Sequence, residues 1–312
     1  MKTKFKFNIR AGCHSFGGAV CAGAVMLIAS SAQAQNLFVG TGGGTIYEYT
    51  PGGAQSTFAS GLNFPAILAF NTAGNLFEAD FNSGNIYEFT PGGVRSTFAS
   101  GLNGPDALAF NSAGDLFEGD SLSGHIYEFT PNGTQSTFAS GLNYPQALAF
   151  NSAGDLFEGD SHSLKIYEYT PNGTQSTFAS GLSNPVGLAF NSAGDLFESD
   201  WSSGHIYEFT PNGTRSTFAS GLNYPTELAF NSAGDLFEAD SGGSGNVYEY
   251  TPNGTRSTFA SGLGSGDPYG LAFQGETLPV PEPSALGLLA VGATALLVRR
   301  CRRCATATLR QR

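Results

Sequence analysis

Between residues 36 and 275, apolar and polar positions alternate in short runs broken by Gly, Pro, Asn and Asp, and the pattern recurs about every 40 residues. The triplet Leu-Ala-Phe ends at Phe70, Phe110, Phe150, Phe190, Phe230 and Phe273, the last interval widened to 43 by Gly/Ser insertions. In the unit from Asp106 to Pro145, the period-two runs predict strands over 107–110, 116–120, 126–130 and 136–140. The segments 111–115 and 131–134 read as tight turns, because Pro presets φ near about −65° and Gly tolerates positive φ.

Such a unit exposes too much apolar surface to stand alone, so neighbouring units must complete its burial. The ends of the array show how. Its first strand, 37–40, corresponds to the second strand of the unit, and its last, 271–273, corresponds to the first. An open solenoid would finish in polar caps, whereas two complementary ends close a ring. The expected fold is an all-β, six-bladed β-propeller with four-stranded blades of about 40 residues over 35–276. Blade 1 joins the strands from Asn36 to Leu62 with the strand from Tyr269 to Phe273.

Charge divides the chain further. The net charge is −11, yet ten of the 14 basic residues stand at Lys2, Lys4, Lys6, Arg10, Arg299, Arg300, Arg302, Arg303, Arg310 and Arg312. From Gln35 to Glu276 there are 24 acidic and four basic residues, a balance of −20. Phosphate recognition depends on clustered Lys and Arg, so nucleic acid is excluded as a partner. Only 12% of residues are charged, while 43 glycines and 26 phenylalanines suit turns and strands. Cys13, Cys21, Cys301 and Cys304 all lie in the basic ends, leaving the repeats without disulfide or thiolate ligand.

The N-terminal end has a basic start, an apolar small-residue run over 19–29, and then Ala32-Gln33-Ala34 with small residues at alternate positions. It predicts a secretory signal peptide over 1–34, cleaved before Gln35. The run is too short for a span, and Cys21 lacks the upstream leucine of a lipoprotein signal. At the other end, a linker over 277–283 finishes in Pro281-Glu282-Pro283, followed by an apolar stretch over 284–298 and by Arg299, Arg300, Arg302 and Arg303. Fifteen residues make a helix of about 22 Å, so a short transmembrane helix is expected over 284–298. The basic tail over 299–312 should stay cytoplasmic. Cys301 and Cys304, lacking a second ligand pair, are incidental to that tail.

This three-part arrangement resembles the PEP-CTERM sorting signal, a C-terminal segment also found on some proteins described as ice-binding. The resemblance implies that exosortase, a membrane protease, recognises Pro281, Glu282 and Pro283 during export to the cell envelope or extracellular exopolysaccharide matrix. Signal peptidase and exosortase are then the expected processing partners, and the C-terminal segment a transient membrane anchor. The repeat carries a Pro before its inner strand, an Ala-Gly-Asp hairpin, an Asp closing the second strand and Ile-Tyr opening the third. In these it resembles NHL-type propellers and, more distantly, virginiamycin B lyase and gluconolactonase propellers, a likeness that speaks for architecture because the fold hosts unrelated activities.

Most acids belong to the repeat framework. Asp80, Asp120, Asp160, Asp200 and Asp240 are expected to accept backbone N–H bonds in the following loop. Glu78, Glu118, Glu158, Glu198 and Glu238, with the third-strand glutamates such as Glu48 and Glu88, are expected to reach solvent at blade edges. Calcium binding is the alternative use of so many carboxylates. Four Asn-Gly-Thr sequons, from Asn132, Asn172, Asn212 and Asn253, have a sufficient cause in turn geometry.

Individuality lies in the loops after the second and fourth strands, which alternation of strand direction places on one face. Asp106, Gln146, Thr226 and Glu227 follow the proline of an inner strand and are expected near the channel mouth. His125, His162, Trp201 and His205 are assigned to loops after second strands, and Tyr144, Tyr224 and Tyr269 to loops entering inner strands. Aromatic and polar groups around a concave mouth suit a sugar or another small ligand. The preferred reading is a non-enzymatic scaffold that binds a glycan or surface protein. The alternative, implied by the more distant resemblance, is a metal-dependent lactonase or lyase, although no residue-by-residue match to such a metal site is found.

Overall fold

A computed structural model describes residues 35–243, 245–263 and 267–275. The signal peptide, the linker, the 284–298 stretch and the basic tail, with Pro281, Glu282, Pro283, Arg299, Arg300, Arg302 and Arg303, lie outside the described residues.

The described residues form six four-stranded antiparallel sheets. Blade 1 is built as the complementary ends require: Pro268–Phe273 pairs with Leu37–Thr41, followed by Thr45–Tyr49 and Gln55–Ser60. Blades 2 to 6 begin with the inner strands Pro65–Phe70, Pro105–Phe110, Pro145–Phe150, Pro185–Phe190 and Pro225–Phe230. Each inner strand neighbours the next, and the strand Pro268–Phe273 touches both Pro225–Phe230 and Pro65–Phe70, so the ring is closed. Inner strands start at the proline, two residues earlier than the alternation indicates. Proline is tolerated there because the first residue of a strand need not donate to the ladder.

The hairpins form as their residues dictate. In blade 3, Asn111 Oδ1 accepts the N–H groups of Ala113 and Asp115 at 2.9 and 2.8 Å, and Gly114 takes φ 89°. The other turn is held by Gly133 N–H to the Thr130 carbonyl at 2.8 Å and by Thr134 N–H to Thr130 Oγ1 at 3.1 Å.

Phenylalanine builds the core between blades. Phe117 of a second strand meets Phe138 of its own fourth strand and Phe150 of the next inner strand, edge to face, at 5.1 and 5.0 Å. The motif recurs around the ring, for example at Phe77 with Phe98 and Phe110, and at Phe237 with Phe259 and Phe273. Each such pair adds about 0.5–1.5 kcal/mol beyond area burial. Blades approach closely where a second strand carries a small residue, Ala79, Gly119, Gly159, Ser199 or Ala239. A Cβ at Gly119 would stand 2.9 Å from the carbonyl oxygen of Pro145 in the next blade, which is why this position stays small.

Candidate functional site

The loops after second and fourth strands share one end of the ring and are bonded to each other. Phe81 N–H donates to the Phe64 carbonyl at 3.0 Å, Ser121 to Gly104 at 3.0 Å and Ser241 to Tyr224 at 3.1 Å. The aspartates closing the second strands complete the join. Asp80, Asp120, Asp160 and Asp200 each accept one N–H from the loop entering their blade, at 2.6–2.8 Å. Each accepts another three residues ahead, at 2.9–3.2 Å. The role expected of Asp120 is thus present and reaches further, pinning both variable loops to one framework group.

The glutamates two residues earlier overturn their expectation. Glu78, Glu118, Glu158, Glu198 and Glu238 are 0% exposed rather than at solvent-facing edges. Glu78 stands across from Leu68 and Tyr87, on the side of its blade that packs against blade 1. None of these carboxyl oxygens has a hydrogen-bond partner. Burial, and then the neighbouring Asp80, pushes Glu78 up to about 9. The other four rise well above the usual carboxylate range for the same reasons. Burial thus favours the neutral form of each of these carboxyls, so the propeller is less anionic than the sequence total. The third-strand glutamates are half-buried, and Glu48 and Glu88 accept from Asn36 and Asn75 at 2.7 Å.

These arrangements do not fit calcium. Both oxygens of Asp80, Asp120, Asp160 and Asp200, and Asp240 Oδ2, accept backbone N–H groups, and the glutamates sit singly in separate blade interfaces. Among the described residues no three His, Cys, Asp or Glu side chains come together as a metal-binding group. Among the described residues, the same geometry brings together no metal-ligand set of the kind the lactonase or lyase alternative would use.

Every inner strand has a break in register next to its proline. A bulge re-aims its unpaired residue. The positions so released are Ala66, Asp106, Gln146 and Val186, the pair Thr226–Glu227 in blade 6, and Tyr269 with Gly270 in blade 1. Asp106 and Gln146 meet across adjacent blades, Nε2 donating to Oδ2 at 2.9 Å. Desolvation pushes Asp106 up to about 6, against the opposing effect of that bond. Asp106 keeps part of its accessible surface because it faces the centre of the ring, yet protein surrounds it, and that enclosure governs its hydration. Tyr144 is raised first by burial and further by the charge of Asp106, and Tyr269 first by burial and then by Asp267 and Asp106.

Several sequence-predicted residues move from their expected places. Thr226 is buried, and its hydroxyl lies 3.0–3.3 Å from the carbonyls of Ala239, Pro268 and Tyr269, stapling blade 6 to blade 1. Tyr269 belongs to its inner strand, not to the loop before it. His125 and His205 open third strands and stack on Tyr127 and Tyr207, each with centroids 5.4 Å apart. Glu227 is half-buried on the inner strand of blade 6.

Aromatic groups crowd the same face. Tyr144 stacks on His162 at 4.5 Å, Trp201 on Tyr224 at 4.4 Å, and Phe64 lies 4.6 Å from Tyr269 and 5.9 Å from Phe81. Phe64, Tyr144 and Tyr224 each precede an inner-strand proline and take φ of 72°, 74° and 60°. The equivalent residue of blade 3 is Gly104, at φ 78°. A left-handed conformation costs a side-chain-bearing residue roughly 1–2 kcal/mol, and such strain gathers at ligand sites. Phe64 and Phe81 were not among the expected site residues; the shared register before proline was the signal that could have found Phe64. On the opposite face, a cavity of about 60 Å³ between Phe77, Phe110 and Pro131 is well below the several hundred Å³ of a small-molecule site.

A PEP-CTERM protein-sorting motif matches residues 279–303, which include the Pro-Glu-Pro sequence and the arginine cluster. No curated protein matches the chain. Among solved structures, a chain of a nidogen/laminin complex aligns over 78% of this chain and 100% of its own, with a TM-score of 0.70 at 19% identity. Virginiamycin B lyase from Staphylococcus aureus aligns over 75% and 83%, with a TM-score of 0.60 at 18% identity. A candidate gluconolactonase aligns over 68% and 82%, at 0.58 and 17%. At these identities the likeness is one of fold. The chain is a six-bladed propeller bearing a PEP-CTERM signal, which implies exosortase-processed export and transient membrane anchoring through the C-terminus.

Proposed function

We propose that this exported propeller is a non-enzymatic scaffold of the cell envelope or exopolysaccharide matrix, and that its variable face binds a glycan chain. The observation that carries the reading is the set of aromatic rings held in left-handed backbone conformations before Pro65, Pro145 and Pro225. Flat rings presented in pairs around a shallow mouth suit the apolar faces of sugar rings, while Asp106 and Gln146 offer polar partners at the centre. An acidic surface disfavours polyanions, so the ligand is a neutral glycan.

Trp201 is the single tryptophan of the chain and stacks on Tyr224, so its emission reports directly on this face. Titration with neutral oligosaccharides, such as glucans, should shift that emission saturably. The Tyr144→Gly variant should weaken the response several-fold at little net cost in stability, because relief of about 1–2 kcal/mol of backbone strain offsets the stacking on His162 that is lost. Absence of any saturable change across neutral glycans, together with unaltered retention of Tyr144→Gly on matrix polysaccharide, would sink the glycan reading.

A further inference from the structure

Both ends of the ring emerge on one face. The first described residues bond directly to the last: Gln274 N–H donates to the Asn36 carbonyl at 2.9 Å, and Gln35 Nε2 to the Gln274 carbonyl at 3.2 Å. Gln35 Oε1 also accepts Ser232 N–H at 2.8 Å, and Ser232 lies in the hairpin after an inner strand. This is the face of the repeated hairpin turns, opposite the aromatic rings. Gly275 follows the inner strand Pro268–Phe273 and therefore leaves near the middle of that face.

We propose that the membrane-anchored form stands with its hairpin-turn face toward the bilayer and its aromatic face turned outward, toward soluble or matrix-borne partners. The inference rests on the PEP-CTERM reading of the C-terminus. Eight residues, 276–283, separate Gly275 from the apolar stretch, a reach of about 28 Å when fully extended. Crossing the headgroup layer takes roughly 5–8 Å of this, leaving about 20 Å above the surface. To turn the aromatic face downward, the tether would have to run from the inner edge past three strand spacings, about 14 Å. It would then climb the height of a six-residue strand, about 20 Å more. The inverted orientation is therefore out of reach. The hairpin face carries Asp115, Asp155, Asp195 and Asp235 beside one set of turns and the exposed Arg95, Arg215 and Arg256 directly after the other, so it presents charge of both signs to the surface below.

The two faces each offer an exposed reporter position: Val94, 68% exposed, in a hairpin turn, and Leu122, 52% exposed, in a loop after a second strand. The full chain, with Cys13, Cys21, Cys301 and Cys304 changed to Ser, would carry Val94→Cys or Leu122→Cys labelled with a donor dye. It would be reconstituted into phosphatidylcholine vesicles containing an acceptor lipid. Energy transfer should be several-fold stronger from position 94 than from 122. Asn132→Cys and Tyr224→Cys form a second pair and should show the same order. Equal or reversed transfer in both pairs would overturn the orientation. Failure of the chain to float with the vesicles would instead overturn the membrane reading beneath it.

Discussion

Glu78 offers the sharpest test of how the blades are held together. Its carboxyl is fully buried, lacks a hydrogen-bond partner and is pushed up to about 9 by burial and Asp80, with Arg95 acting the other way. An unfolded glutamate titrates near about 4.3. Between those values the folded chain holds a proton that the unfolded chain releases. The stability contributed by this group is therefore complete below about pH 4 and is lost as pH rises toward about 9, at up to about 1.4 kcal/mol per pH unit. At pH 7 the accumulated loss reaches an upper bound of about 3–4 kcal/mol, reduced if the side chain rotates toward Arg95. Blade 1 supplies the natural replacement, because Val39 occupies the equivalent position and is itself 0% exposed. Glu78→Val should leave stability at pH 4 little changed and raise it increasingly above pH 5. Urea midpoints measured at one-unit steps from pH 4 to pH 9 give the comparison, with Glu78→Gln separating loss of titration from loss of the buried polar group. Parallel profiles for wild type and both variants would refute the reasoning, since they would mean that the carboxyl is ionised and solvated in the folded ring.

Three further outcomes follow from named contacts. Asp115→Asn places an amide where Asn75 donates to Glu88 at 2.7 Å in blade 2, and it removes the like charge that helps raise Glu128. Thermal unfolding should show a gain of about 0.5–1.5 kcal/mol. Thr226→Val deprives three carbonyls of one shared donor in a buried seam and should cost about 1–3 kcal/mol, seen as a lower urea midpoint. Asp106, pushed up to about 6, contributes stability that is complete below about pH 4 and lost as pH rises through 6, so Asp106→Asn should flatten the melting-temperature profile across that interval.

The closed ring was legible because the two ends of the array carry complementary strands, and the strand-by-strand order follows from turn chemistry. Blade interiors were not. In Leu76-Phe77-Glu78-Ala79-Asp80 the alternation suggests that the acidic side of the strand meets water, as on a one-sided antiparallel sheet. Every blade is packed on both faces, so alternation there distinguishes two neighbours, not core from solvent. Val39 was the available warning: in the one repeat that departs from glutamate, the substitute is apolar. The bulges were illegible for a different reason, since one extra residue leaves no mark in composition. The left-handed rings were hidden by a rule pointing the other way, because a residue before proline ordinarily favours extended backbone.

Strand directions and the position of the break in the ring together explain why the proposed recognition face and the C-terminal sorting segment fall on opposite sides of the ring. Among the described residues, the first strand is the second of its blade and the last is the first of the same blade, so the ring is open at the hairpin that would join them. Both termini must then leave from the hairpin face. Had the break fallen in a loop after a second or a fourth strand, the sorting segment would have emerged among Phe64, Tyr144 and Tyr224. The framework aspartates act on the free face for the same topological reason: each ends a second strand, at the end where both variable loops meet. Asp120 holds the N–H groups of Asn103 and Ser123 at 2.7 and 3.1 Å whatever side chains those loops carry. Backbone bonds to one repeated acid let the side chains around the mouth differ from blade to blade without loosening it, and that is how a ring of near-identical units can carry an asymmetric set of side chains on this face.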